Sequence, residues 1–264
     1  MSAKPARLLI IAGSDSSGGA GLQADIKTAD ALGVYAMTAV TAITVQDTRG
    51  VHDVRLLPPR IVTGQIRACL KDIGADAIKI GMLGSASIAR AVAVALKSEA
   101  RSTPVVLDPI VMSTSGKRLL DARGAEVLKR ELIPMATLVT PNLPEARALA
   151  GLKSSKRGDV ELAGRKLMAL GARAALIKGG HATRETIDDV LVWSGGVEVY
   201  AFPRIKTKHT HGTGCTLSTA IACGLAKGES LPLATGRARE FVQHAVETAP
   251  GFGRGHGPLN HFAR

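Results

Sequence analysis

The run Thr210-His211-Gly212-Thr213-Gly214-Cys215-Thr216 leads into an apolar stretch at residues 217–226. Small residues at a helix start leave successive backbone N–H groups free to face an anion, and the helix dipole adds to the attraction. That suits the charge developing on a transferred γ-phosphoryl group, with Gly212, Thr213 and Gly214 as the anion hole. The same dipole is expected to lower the pKa of Cys215, whose thiolate could then take a proton from an attacking hydroxyl. The alternative is a buried cysteine in a tight turn. Cys223, inside the apolar run, and Cys69, on a helical face, fit that description better than Cys215 does.

Other stretches with chemical potential stand where strands are expected to end. Gly13-Ser14-Asp15-Ser16-Ser17-Gly18-Gly19-Ala20-Gly21 has neither the GxGxxG nor the GxxxxGK[ST] register, so it is either a ligand-approaching loop or a turn capped by Ser and Asp. Asp25 follows one turn into the next helix, where the dipole favours a carboxylate for capping or for a ligand. Gln46, in Thr44-Val45-Gln46-Asp47-Thr48, offers an amide donor and acceptor that can match the amino group and ring nitrogen of an aminopyrimidine edge. Met82, in Lys79-Ile80-Gly81-Met82, can line an apolar pocket or simply pack a turn. Asp108 and Glu145 each follow a strand; such carboxylates can hold Mg²⁺ through water against substrate phosphates, or cap helices. Lys178, before Gly179-Gly180-His181, can reach phosphate oxygens or lie on the surface.

The elements that must position these residues follow a regular rhythm. Strands are expected at residues 8–12, 34–45, 77–80, 105–107, 137–140 and 174–178. Helices are expected at 20–32, 58–71, 85–97, 123–132, 143–150, 160–170, 214–226 and 231–248, and a β-hairpin at 189–193 and 197–202. Alternating strands and helices imply a mostly parallel sheet covered on both faces, with ligands at the carboxyl ends of the strands. No linker splits the 264 residues, so one domain over 1–264 is expected.

Composition narrows the function classes. Aromatics make up 3%, too few for base-stacking platforms. The net charge of +12 draws anions, nucleotides or nucleic acid. The charges are spread out, however, and the densest cluster, Lys153, Lys156 and Arg157, lies in a connection. A solvated surface is the preferred reading, and a nucleic-acid-binding protein the distant alternative. Three cysteines without finger-like spacing argue against a disulfide framework or structural zinc, and point to a reducing cytoplasmic compartment. No apolar run is long enough to cross a bilayer.

The chain resembles the hydroxymethylpyrimidine/phosphomethylpyrimidine kinases of thiamine biosynthesis, in the ribokinase-like superfamily. The stretches that carry this are IAGSDSSGGAGLQADIKT, TAITVQDTRGV, KIGMLGS, VVLDPIVM, TPNLPEA, IKGGH, THGTGCTLS and GHGPLNHF, in order from Ile11 to Phe262. The resemblance implies a three-layer α/β/α fold with a central, mostly parallel sheet. It implies transfer from ATP to 4-amino-5-hydroxymethyl-2-methylpyrimidine, then from a second ATP to the monophosphate. By motif, Gly13, Ala20, Asp25 and Gln46 would contact the pyrimidine, with Met82 packing on it. Asp108, Asn142 and Glu145 would organise Mg²⁺ and the phosphates, Lys178 would lie near the nucleotide, and Cys215 would be the base. A homodimer is the assembly that the resemblance suggests. Ser16 replaces the usual Pro, implying a looser first loop, and Asp47 replaces the usual Asn, implying an extra carboxylate near the pyrimidine. Pyridoxal kinases of the same superfamily, acting on another flat ring with a hydroxymethyl arm, are the enzymatic alternative.

Overall fold

The computed structural model describes residues 4–112, 116, 119–152, 159–180 and 185–262. The 153–157 charge cluster and His181 lie outside them. β1 (Arg7–Asp15) alternates its side chains between two faces: Leu9 and Ile11 enter one apolar cluster, Leu8, Ile10 and Ala12 the other. A strand buried on both sides in this way must lie at the centre of a sheet covered twice.

The remaining strands are β2 (Tyr35–Asp47), β3 (Gly50–Leu56), β4 (Ala77–Ile80), β5 (Val105–Leu107), β6 (Leu138–Val139), β7 (Ala174–Ile177), β8 (Thr186–Trp193) and β9 (Gly196–Pro203). They form one sheet in the order β3-β2-β1-β4-β5-β6-β7-β8-β9. The run from β2 to β7 is parallel, while β3, β8 and β9 pair antiparallel at the two edges. The β2–β3 hairpin is absent from the sequence expectations. β3 is largely exposed, so its sequence carries little of the apolar signal that marks a strand.

The helices are α1 (Gly21–Ala31), α2 (Pro59–Asp72), α3 (Ala86–Glu99), α4 (Ala122–Val127), α5 (Leu143–Ala150), α6 (Asp159–Ala169), α7 (Thr213–Ala226) and α8 (Leu231–Glu247). One cluster draws on α1, α7 and α8, the other on α2 to α6, which gives the expected three-layer α/β/α architecture. Local chemistry sets several boundaries. Ser85 Oγ accepts from the Ile88 N–H at 3.3 Å and starts α3. Asn142 and Glu145 close a reciprocal capping box at 2.9 Å in each direction and start α5. The helix expected over 123–132 is α4 followed by a π turn, Leu128–Leu132.

Because β2 to β7 are parallel, their carboxyl ends share one edge. That edge gathers the 13–21 loop, Gln46, Met82, Asp108, Asn142 and Lys178, and the first turn of α7 meets them there.

Candidate active site

α7 is buried from Cys215 to Gly224, so its first turn opens into the interior rather than into solvent. Its N-cap, Gly212, has φ +84° and no capping side chain. A Cβ there would fall on the carbonyl oxygen of Gly19, so only glycine fits. With no side chain to satisfy them, the first-turn N–H groups are available to an anion. Thr213 Oγ1 donates to the Thr210 carbonyl at 2.7 Å and tightens the loop.

Cys215 is 8% exposed. Burial pushes its thiol up to about 11, against the opposing pull of the Lys79 ammonium. This corrects the expected lowering: desolvation of the thiolate outweighs the favourable charges around it. The Gly21 N–H donates to the thiol and also works against burial.

Asp25 is likewise not where it was expected. Its carboxylate is fully buried behind the cavity wall, 2.7 Å from Lys79 Nζ, and its other oxygen accepts from Thr219 Oγ1 at 2.7 Å. It does not line the cavity. Lys79, on the cavity side of this pair, stays charged despite its burial, held above its ordinary pKa by Asp25 and, further off, by Cys215 and Asp108.

Lys178 Nζ lies 2.9 Å from Asp108 Oδ1, which also accepts from Thr140 Oγ1 at 3.3 Å. A Cβ on Gly214 would stand 3.0 Å from Lys178 Nζ and 3.6 Å from Asp108 Oδ2, so this pair borders the loop at Gly212–Gly214. Burial raises the Glu145 pKa, with Lys178 opposing and Asp108 adding to the rise. A buried carboxylate, Asp108, and a half-buried one, Glu145, that repel one another fit a hard cation held by one or two carboxylates, water and phosphate. Among the described residues there is no group of three or more His, Cys, Asp or Glu side chains that would enclose a metal by itself. Asn142 lines the same cavity with its Oδ1 engaged in the capping box.

The cavity encloses about 690 Å³, within the range of small-molecule sites. At its β1–β2 end stand Gly13, Ala20, Gln46 and Met82. A Cβ on Gly13 would lie 3.1 Å from the Met82 sulfur. Ser16 Oγ donates to the Gln46 carbonyl at 2.8 Å and accepts its N–H at 2.9 Å. The serine therefore ties the first loop to β2, in place of the looser loop expected. Asp47 turns away from the cavity and caps the β2–β3 turn through the Arg49 and Gly50 N–H groups at 2.8 and 3.1 Å. The Arg49 bond leads the interactions that lower its pKa to about 2.

Sequence reasoning missed the other end of the cavity. Ile187, Ile205, Val242 and Val246 form an apolar wall there. Beside it Arg239 Nε lies 2.9 Å from Asp189 Oδ2, both side chains being buried. Asp189 Oδ1 accepts the Gly179 N–H at 2.7 Å, anchoring the turn after Lys178, and the Arg239 guanidinium lies 4.7 Å from the Phe202 ring centre. No glycine motif marks these residues, and the partners are far apart in sequence.

An uncapped helix mouth facing a Lys–Asp pair, on the carboxyl edge of this sheet, suits a small-molecule kinase, and the relatives place the chain among kinases of ribokinase-like fold. Residues 15–260 match the phosphomethylpyrimidine kinase family, and the chain belongs to it. The bifunctional thiamine biosynthesis protein ThiED of Geobacter sulfurreducens is 45% identical over 97% of this chain, which spans 52% of that protein. The hydroxymethylpyrimidine/phosphomethylpyrimidine kinase of Streptomyces coelicolor is 43% identical over 97% of this chain and 94% of its own length. Among solved structures, Bacillus subtilis pyridoxal kinase in its ADP complex superimposes with a TM-score of 0.90 at 36% identity, over 98% of both chains. Among the described residues, no helix is long and apolar enough to cross a membrane.

Proposed function

We propose that this protein, acting as one domain over residues 1–264, uses ATP to phosphorylate 4-amino-5-hydroxymethyl-2-methylpyrimidine and then phosphorylates the monophosphate to the diphosphate. The observation that carries the reading is that Gln46, Cys215 and Lys178 line one continuous cavity, running from the β2 end of the sheet to the β7 end. Gln46 supplies the donor–acceptor pair for the aminopyrimidine edge, with Gly13, Ala20 and Met82 around the ring. The apolar wall of Ile187, Ile205, Val242 and Val246 suits a nucleobase. Lys178 and Asn142 lie on the phosphate path, and Gly212, Thr213 and Gly214 receive the γ-phosphoryl.

In the transfer, the hydroxymethyl oxygen bonds to the γ-phosphorus, the bond to the ADP oxygen breaks, and Cys215 takes the hydroxyl proton. In a loose transition state that proton leaves late, and Cys215 accepts it only as the thiolate, the minority form at neutral pH for a thiol pushed up to about 11. Lys79 is the cation that favours the thiolate. Asp108 and Glu145 would hold Mg²⁺, which when bound offsets phosphate charge. The protein acts in the cytoplasm and as a homodimer. Ile43 and Val45, 53% and 56% exposed and two residues apart on one face of β2, supply an apolar patch for a second copy.

A second reading, pyridoxal phosphorylation, is favoured by the similarity to the Bacillus subtilis pyridoxal kinase. Competition between the two acceptors decides it. ADP release should require the pyrimidine, and a hundredfold preference for pyridoxal would overturn the first reading.

A further inference from the structure

Gln46 is not alone at the acceptor end of the cavity. The His211 Nε2 atom lies 2.9 Å from the amide end placed as Gln46 Nε2, whose Oε1 is 3.4 Å from Thr44 Oγ1, and 2.9 Å from Asp15 Oδ2. All three residues line the cavity, and Asp15 and His211 are 3% and 7% exposed. The imidazole is clamped. A Cβ on Gly19 would lie 2.6 Å from its Cδ2, and the backbone of His211 bridges to the Gly257–Pro258 segment.

One ring nitrogen cannot both donate and accept in its plane. Facing Asp15, Nε2 must carry a hydrogen, because the carboxylate is an ionised acceptor. The rest of the Asp15 environment agrees: its oxygens accept the Ser17 and Ala20 N–H groups, each at 2.8 Å. Burial works against that charge, but the bonds from His211 and Ser17 prevail and lower its pKa.

The consequence falls on Gln46. The two ends of its amide have nearly the same shape, so hydrogen bonding decides which end meets the ring. A protonated Nε2 requires the amide oxygen. The amide nitrogen then faces Thr44 Oγ1, whose own hydrogen is given to the Ser14 carbonyl at 2.9 Å and whose lone pairs can accept. Each group is satisfied in this orientation. The reverse one sets two donors against each other at His211 and spends the Thr44 hydroxyl twice.

We propose that Asp15 and His211 are positioning residues that fix the Gln46 amide with its oxygen toward His211, and thereby fix which way round an aminopyrimidine ring is held. This rests on the acceptor assigned above. Taking the acceptor-plus-donor edge of the amide, the ring places its amino group on the oxygen side and its ring nitrogen on the nitrogen side. The hydroxymethyl group is next to the amino group, on the side away from that ring nitrogen. It is therefore directed toward His211, the residue immediately before Gly212, and so toward the anion loop. A reversed amide would point it away.

The test compares the pyrimidine with its analogue bearing hydrogen in place of the amino group, in wild type and in His211→Phe, which keeps a ring against Gly19. Wild type should prefer the amino compound by on the order of 10³-fold or more in kcat/KM, as sites built around a polar group do. In His211→Phe that preference should fall at least tenfold, with kcat falling more than KM rises. An unchanged preference overturns the proposal while leaving the assigned acceptor standing. A wild-type enzyme that does not use the pyrimidine overturns both. If His211→Phe fails to fold, ¹⁵N spectroscopy of the wild-type imidazole decides: hydrogen on His211 Nε2 at neutral pH is expected, and a bare Nε2 overturns the proposal.

Discussion

Lys79 Nζ and Asp25 Oδ2 lie 2.7 Å apart, and neither side chain has any exposure. With Thr219 on the other carboxylate oxygen, the pair joins β4, α1 and α7 under the cavity.

Removing one partner of such a pair strands a buried charge. Lys79→Met should destabilise the fold by about 3–5 kcal/mol, read as a lowered urea midpoint. Lys79→Met combined with Asp25→Leu should recover most of that loss. If the double variant is no more stable than the single one, the pair is not the source of the effect.

The thiol of Cys215, pushed up to about 11 by burial, should be alkylated by iodoacetamide at a rate that keeps rising past pH 9. Lys79→Met should move that profile further up. Cys215→Ala should lower kcat by about 10²–10⁴-fold while ATP still binds, the range for loss of a general base. Full activity in Cys215→Ala would remove the base assignment, leaving the residue a part of the loop wall.

His261, buried with its Nε2 3.0 Å from Thr216 Oγ1, is pushed down to about 4, by burial first and then by Lys27. Its folded pKa lies below the unfolded value of about 6.5. The stabilisation is therefore present above that value and lost as pH falls through 4, because the unfolded chain binds the proton first. Unfolding free energy should drop by on the order of 3 kcal/mol across this window through His261. His261→Gln should flatten that part of the profile, and an unaltered slope would assign it to other groups.

Much of this was legible in the sequence for definable reasons. The apolar strand runs, the Ser85 cap, the helix-capping alternative for Glu145 and the glycines before Cys215 are local signals, and the chain obeys them. The order of strands and the pairings across them are not local. Lys79 sits in Ala-Ile-Lys-Ile, where alternation reads as one outward polar residue; its burial depends on Asp25, which is 54 positions away. Arg239 looks like a polar position on an amphipathic helix until Asp189 and Phe202 are brought beside it. Cys215 shows a different limit. The helix start could be read, and the favourable dipole with it, but not the depth at which the fold places the thiol.

The sheet order carries a consequence for how this enzyme can diverge. The proposed acceptor end of the cavity is built largely by residues before position 84 and is closed by His211, which the Gly257–Pro258 segment backs. The opposite wall comes from residues 178–246. α7 stands between them and serves both. On the proposed assignment, substitutions in the first loop and in β2 would retune the ring that is accepted while the half proposed to handle phosphate stays as it is. That separation gives the scaffold a route from one vitamin precursor to another without rebuilding its chemistry.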